Sequence, residues 1–353
     1  MTTGTAIPVR NAWYLLLYAW DMVALGERWR ADAESSPSLL SLLSTVLADA
    51  TERLLTRNLS RHHQRVRREV DGVRGRVDWG RTLGRAQHLR GITTCEVSVL
   101  DVDTRRNRIL KATLQRLAGD RRLDATEGAD VNALRARLRG LVRRMDGVRT
   151  VSLTGSDFGR LQLGRNDRDY ALPLSICELL FHARLPTEDA GDHLVRSLLR
   201  DEITFHRLYE RFVRGFYRRH LRGWRVHAEG LTWPDEVDSG LVPGMKTDVS
   251  LDERSAPFRR IVLDTKFYAA PLAERFGSAR FHSANLYQMY AYLRTQEDRG
   301  ERWRQARGVL LYPTVDDEID ARMVVQGYEI RVVTVDLGRP WREVEDRLMG
   351  IVA

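Results

Sequence analysis

Two acids and one lysine in the second half of the chain are of the types that hydrolyse phosphodiesters, and their spacing draws them together. The segment Ile261-Val262-Leu263-Asp264-Thr265-Lys266 opens with three aliphatic residues, as a buried strand does, then sets an acid and a lysine two positions apart. Side chains at i and i+2 of a strand share a face, so Asp264 and Lys266 project together from the end of an apolar segment. A buried charge is costly unless it is paired or bound to a cation. Sixteen residues before Asp264 lies Asp248, within the strand-like Met245-Lys246-Thr247-Asp248-Val249-Ser250-Leu251. Residues 252–257 are polar and turn-rich, and predict a hairpin that sets Asp248 beside Asp264.

Such a trio suits phosphodiester chemistry. Mg²⁺ takes one or two carboxylates together with waters and substrate phosphate oxygens. It polarises the phosphate and lowers the pKa of a bound water, and an ammonium group nearby stabilises the negative charge that develops. The backbone carbonyl of Thr265 is a candidate further metal ligand. Glu210, in Leu208-Tyr209-Glu210-Arg211-Phe212 on the preceding helix, is a candidate third acid, with a solvent-facing glutamate as its plainer reading. For Asp264 and Lys266 the plainer reading is a strand-end ion pair. The apolar lead-in, the hairpin acid and the scarcity of lysine favour chemistry.

That scarcity is pronounced. Of 57 basic residues only three, Lys111, Lys246 and Lys266, are lysine, and two of these sit beside acids in strand-like segments. Arginine is a planar fork that stays protonated, whereas lysine is a compact point charge whose pKa shifts readily. The net charge of +9 favours a polyanionic partner, most often nucleic acid.

Several function classes are excluded. Cys95 and Cys177 stand in no CxxC pattern, which argues against structural zinc and against a disulfide framework. The nine histidines form no HxH or HExxH pattern, and no GxSxG elbow is present. No GxxxxGK[ST] loop occurs, since Gly159–Gly164 continues into Arg165-Asn166, so the chain is not expected to hydrolyse nucleotide alone. The apolar stretch Ala12–Trp20 is nine residues, against about 20 for a membrane span, and a cytoplasmic protein with no membrane partner is expected.

The elements that must position the trio follow from periodicity. Asn11–Trp20 reads as helix, and its Trp13, Tyr14, Tyr18 and Trp20 suit core packing better than gripping a base. Ser35-Ser36-Pro37 reads as the start of a second helix, carried by Leu39, Leu40, Leu43, Val46 and Leu47. Glycine-punctuated segments at Val66–Val77 and Ile92–Leu100 predict a small sheet, followed by helices over Arg105–Leu117 and Val131–Met145. The arginines of Arg135–Arg144 suit a phosphate track or a solvated face equally. A boundary near residue 165 divides an N-terminal domain (1–165) from a C-terminal one (166–353). The second half opens with helices over Leu172–Arg184 and from about 189 to 221. Strands at Trp224–Ala228, Met245–Leu251 and Arg259–Tyr268, a helix over Asn285–Arg294, and strands at Gly308–Tyr312 and Tyr328–Val335 follow. That order predicts an α+β or α/β fold: a mixed sheet flanked by helices, preceded by a mixed helical domain with a small β-sheet.

Asp248 followed by Asp264-Thr265-Lys266 resembles the PD-(D/E)XK nuclease signature, although no proline adjoins Asp248. More narrowly, the chain resembles the McrC family, nuclease subunits of McrBC methylcytosine-directed restriction systems. The likeness rests on Ile7-Pro8-Val9-Arg10-Asn11-Ala12-Trp13-Tyr14-Leu15-Leu16-Leu17-Tyr18-Ala19-Trp20-Asp21, Gly75-Arg76-Val77-Asp78, Asn107-Arg108-Ile109-Leu110-Lys111 and Asn285-Leu286-Tyr287-Gln288-Met289-Tyr290. The resemblance implies a restriction-endonuclease-like C-terminal domain with Asp248, Asp264 and Lys266 catalytic, Gln288 and Glu210 supporting, and Asp248, Asp264 and Thr265 holding Mg²⁺. It implies an N-terminal domain that docks on an McrB-like AAA+ GTPase hexamer and stimulates it, with GTP bound by that partner and double-stranded, methylated DNA as substrate. The alternative is a non-catalytic adaptor that docks on a motor, binds DNA and carries a vestigial site.

Overall fold

The strand that carries Asp264 is buried at all six of its positions, Arg260–Thr265. A strand covered on both faces reads as a continuous apolar run rather than an alternating one, and everything around it follows from that need for cover. The computed structural model describes residues 7–57, 59–123, 131–159, 161, 163–164, 167–183, 202–233, 243–266, 272–275, 278–314 and 318–353. Within these, the principal helices are α1 (Val9–Ala19), α2 (Leu39–Thr56), α3 (Arg105–Ala118), α4 (Val131–Arg144), α5 (Arg168–His182), α6 (Glu202–His220), α7 (Ser283–Arg294) and α8 (Trp341–Val352). The strands are β1 (His62–Asp71), β2 (Arg76–Val77), β3 (Ile92–Asp101), β4 (Trp224–His227), β5 (Gly230–Leu231), β6 (Met245–Lys246), β7 (Val249–Glu253), β8 (Arg260–Thr265), β9 (Leu272–Arg275), β10 (Ser278–Phe281), β11 (Arg307–Thr314), β12 (Asp320–Val325) and β13 (Tyr328–Asp336).

The chain packs as two compact units, Met1–Leu40 with Thr187–Ala353, and Ser41–Pro186. In the first, six strands form one sheet in the order β12-β13-β11-β8-β7-β4. The three central strands β8, β11 and β13 run parallel, while β7, β4 and β12 pair antiparallel, so the sheet is mixed as expected. Val262, Leu310, Tyr312, Ile330 and Val332 pack on one face against Met289, Tyr292 and Leu293 of α7 and against Trp303. Helix α6 lies along β4, β7 and β8 and takes no part in that core, so it covers the opposite face.

The first forty residues belong to this unit, which departs from a division near residue 165. Asn11, fully buried, donates from Nδ2 to the carbonyls of Leu337 (2.8 Å) and Arg339 (2.7 Å). Tyr14 stacks on Trp341 at 4.8 Å, and the Tyr18 hydroxyl lies 2.7 Å from His220 Nε2. A Cβ on Gly215 of α6 would stand 2.1 Å from the Tyr18 carbonyl oxygen, so the two helices touch backbone to backbone. Trp13, Tyr14 and Tyr18 are core residues, as the periodicity predicts. Contacts so distant in sequence leave no local trace, which is why glycine spacing misplaces the boundary.

Other departures are local. The second helix starts at Leu39, and Ser35 instead closes the short helix Arg30–Ser35, its hydroxyl donating to the Ala31 carbonyl. Met245–Leu251 is broken at Thr247 and Asp248 into β6 and β7. The strand Asp320–Val325, absent from the sequence reading, forms the far edge. Of the long helix expected from 189 to 221, Glu202–His220 lies within the described residues.

In the unit Ser41–Pro186, β1, β3 and β2 form the small antiparallel sheet that the glycine-rich segment predicts. Its helices are tied by buried polar groups. Asn107 donates to the carbonyls of Ser60 (2.9 Å) and Val102 (2.7 Å) and accepts from the Tyr170 hydroxyl (2.7 Å). Lys111 donates to the carbonyls of Met145 (3.1 Å) and Val148 (2.7 Å) just past the end of α4, satisfying groups that a helix end leaves free. Arg135 donates to the Asp120 carbonyl, and Arg137 binds both Asp49 and Glu52, so these arginines of α4 serve the unit itself. No helix among the described residues is long and apolar enough to cross a membrane.

Candidate active site

The β7–β8 hairpin sets the register of the site. Val249 pairs with Leu263, so Asp248 comes level with Asp264 one step further along. The break between β6 and β7 turns the Asp248 side chain toward β8, where its Oδ2 accepts from the backbone N–H and the hydroxyl of Thr265, both at 2.7 Å. The Lys266 N–H still donates to the Leu311 carbonyl of β11 (2.9 Å), which keeps the chain extended and both β8 charges on one face. Lys266 Nζ lies 2.5 Å from Asp264 Oδ2. The three residues expected to converge therefore do.

The remaining expected residues take distinct places. Gln288 of α7 accepts from Lys266 Nζ at 2.6 Å and donates to the Tyr292 hydroxyl at 2.6 Å, so the ammonium is held between an acid and an anchored amide. Glu210 does not join the two aspartates as a third acid: its carboxylate is paired with Arg214 one turn along α6. Arg214 Nε in turn donates to the Asp248 carbonyl at 3.1 Å, fixing the backbone at the break. The Thr265 carbonyl accepts from His206 Nε2 at 2.9 Å, with its second lone pair left over.

Comparison with known proteins decides the family. A family model described as a McrBC 5-methylcytosine restriction system component matches residues 16–313. The chain belongs to the McrBC family. It is 32% identical over 353 residues to the type IV methyl-directed restriction enzyme EcoKMcrBC of Escherichia coli strain K12, spanning 98% of this chain and 97% of the relative. A solved assembly of Thermococcus gammatolerans McrB AAA+ hexamers with bound McrC contains a chain of the same fold, with a TM-score of 0.53 and 20% identity over 96% of this chain and 76% of that one. The McrC likeness noted in the sequence thus extends along nearly the whole length.

The electrostatics of this McrBC family member turn on Asp264. Its side chain is only 4% exposed. Burial first, and the neighbouring charge of Asp248 second, push its carboxyl up to about 6, against the opposing pull of Lys266 and His206. The contact with Lys266 is an ion pair without hydrogen-bond alignment, and Oδ2 has no other partner among the described residues. An orphaned, nearly buried carboxylate oxygen beside a second acid is what a cation site requires when the cation is absent. The donor set fits a hard ion that takes one or two carboxylates and keeps its waters. It does not fit a closed protein cage, because no group of three or more His, Cys, Asp and Glu side chains gathers among the described residues.

His206, Arg214 and Tyr292 escape the sequence reading. His206, Glu210 and Arg214 recur every four residues on a helix that is otherwise aromatic and aliphatic on its inner side. That polar stripe, pointing at a sheet end rather than at water, is the signal that could have found them. A hollow lined by Thr113, Arg116, Asp120, Arg122, Cys177 and Phe181 belongs to the other unit and touches none of these groups.

Proposed function

We propose that this chain is the DNA-cutting subunit of a modification-dependent restriction system, a Mg²⁺-dependent endonuclease of the PD-(D/E)XK type. The observation that carries the reading is the convergence of Asp248, Asp264 and Lys266 at the end of a mixed sheet, with Asp264 buried, raised in pKa and lacking a full set of partners. Asp264 and Asp248 would hold the cation, and the free lone pair of the Thr265 carbonyl faces the same sheet end. When bound, the cation would polarise the scissile phosphate and acidify an attacking water. Lys266 neutralises charge building on the phosphate oxygens, and Gln288 keeps Nζ aimed there, its own amide fixed by Tyr292. Arg214 and His206 hold the backbones of Asp248 and Thr265, so neither element needs to reorganise during reaction.

The chain works, on this reading, in the cytoplasm with an AAA+ GTPase that binds the nucleotide and whose activity it stimulates. Membership of the McrBC family and likeness to a chain solved with McrB AAA+ hexamers support that partner, and methylated double-stranded DNA is the matching substrate. The deciding experiment mixes the chain with its AAA+ partner, GTP, Mg²⁺ and methylated DNA. Asp264→Ala should abolish cutting and leave GTPase stimulation intact. Normal cutting by that variant would overturn the catalytic assignment, and unimpaired restriction in cells carrying Lys266→Ala would favour a vestigial site on an adaptor.

A further inference from the structure

Helix α6 carries two adjacent polar stripes. His206, Glu210 and Arg214 are half-buried and face the candidate site. Beside them, turned outward by about 100° per residue, stand Arg207, Arg211 and Arg218, all exposed. On a helical projection these three fall within about 40° of one another, flanking Arg214. The inner side of the same helix is closed by Phe205, Tyr209, Phe212, Val213 and Phe216. So the arginines form one ridge, and the ridge borders the residues that hold Asp248 and Thr265.

Most arginines of this chain are committed to its own acids. Arg106, Arg108, Arg137, Arg260, Arg331 and Arg347 each meet a carboxylate. Among the described residues Arg207, Arg211 and Arg218 meet none, and the one described acid on α6, Glu210, is taken by Arg214. Folding has spent no counter-charge on this ridge, although three parallel guanidinium groups on one helix face repel each other.

We propose that the Arg207–Arg211–Arg218 ridge is a duplex-DNA track, binding consecutive phosphates of one strand and leading it to the Asp248–Asp264–Lys266 site. The role as a lead-in rests on the endonuclease reading, whereas the phosphate binding does not. A rise of about 1.5 Å per residue makes the ridge about 16 Å long. That spans on the order of five phosphates of one strand, at about 3.4 Å each along the duplex axis. Guanidinium forks suit phosphate oxygens in bidentate geometry. Contacts of this kind position DNA without reading its bases, so the ridge is indifferent to methylation.

The test uses the full chain carrying Asp264→Ala, so that DNA is not cut, and a short fluorescein-labelled duplex of arbitrary sequence in metal-free buffer. Anisotropy is read over a salt series. Arg207→Ala/Arg211→Ala/Arg218→Ala should weaken binding about tenfold or more at low salt and flatten the log–log salt slope by about 2.7, or 0.9 per phosphate released. The loss should be equal for methylated and unmethylated duplex. Lysine at the same three positions should restore most of the slope, which a merely structural role would not do. Arg139→Ala/Arg143→Ala on α4, whose arginines are also exposed, should bind as the parent does. Parental affinity and slope in the triple alanine variant, an equal loss in the α4 variant, or no low-salt binding by the parent would each overturn the proposal. Ridge-dependent binding together with failure of the unmutated chain to cut beside its AAA+ partner would leave the ridge standing and sink the endonuclease reading. Cutting by the unmutated chain, with ridge variants that bind normally, would do the reverse.

Discussion

At the scale of single residues, Asp264 couples the site to pH. Its carboxyl is pushed up to about 6 by burial and by Asp248, above the ordinary 3.8. The folded protein therefore binds this proton more tightly than the unfolded chain. The stability so gained is complete below the ordinary carboxylate pKa and is lost as pH rises through about 6. Asp264→Asn cannot ionise, so without metal it should melt a few degrees higher than the parent at neutral pH, the difference closing as acid is added. Thermal melts of the metal-free protein across that range check this, and equal melting at neutral pH would refute the burial argument. A divalent cation reverses the preference, because it binds the ionised form, and Mg²⁺ affinity should weaken as pH falls below about 6. Gln288 makes a second prediction at this scale. Gln288→Leu removes the acceptor of Lys266 Nζ and the donor to Tyr292. Loss of such an orienting partner costs about 10–100-fold in activity, so the cutting rate with partner and GTP should fall by that order while the fold persists.

The elements show where sequence is a good guide and where it is not. An apolar run followed by an acid and a lysine two apart fixes the face and burial of β8, because side-chain alternation is a local property. The hairpin between β7 and β8 is equally legible from its polar turn, and it brings Asp248 to Thr265. The break at Thr247 and Asp248 is not legible, since it depends on Arg214 of a separate helix gripping the Asp248 carbonyl. The edge strand β12 was hidden because it alternates exposed and half-buried residues, with little apolar signal. Helix α1 is obvious as a helix, yet its docking on α6 rests on Gly215, whose missing side chain admits the Tyr18 carbonyl. Backbone cannot swing aside as a flexible side chain does, so overpacking there is expensive. Gly215→Ala should destabilise by about 2–3 kcal/mol or more, measured by denaturant unfolding. A loss under about 0.5 kcal/mol, the range of ordinary surface changes, would mean that the helices do not meet so closely.

For the molecule as a whole, the decisive feature is that the unit bearing the candidate site is discontinuous, closed by the first forty residues, whereas Ser41–Pro186 is one uninterrupted stretch. An uninterrupted unit with its own sheet and buried polar ties can fold alone. A fragment spanning 36–186, cut ahead of α2, should show the circular dichroism of mixed helix and strand and a cooperative melt. The reciprocal fragment 187–353 should not, because it lacks Asn11 on the Leu337 and Arg339 carbonyls and Tyr14 on Trp341. Adding a peptide of residues 1–40 should restore its folding. Metal separates the units further. A ligand that binds only the folded state raises the melting point of the unit it binds, by about 2.7 kcal/mol of stability at a hundredfold excess over Kd. In calorimetry of the full chain, Mg²⁺ should lift one transition and leave that of the 36–186 fragment where it stands alone. Asp264→Ala should remove the lift without moving the second transition. If Mg²⁺ shifted both transitions equally, or shifted the variant as much as the parent, the cation would be binding somewhere other than between Asp248 and Asp264.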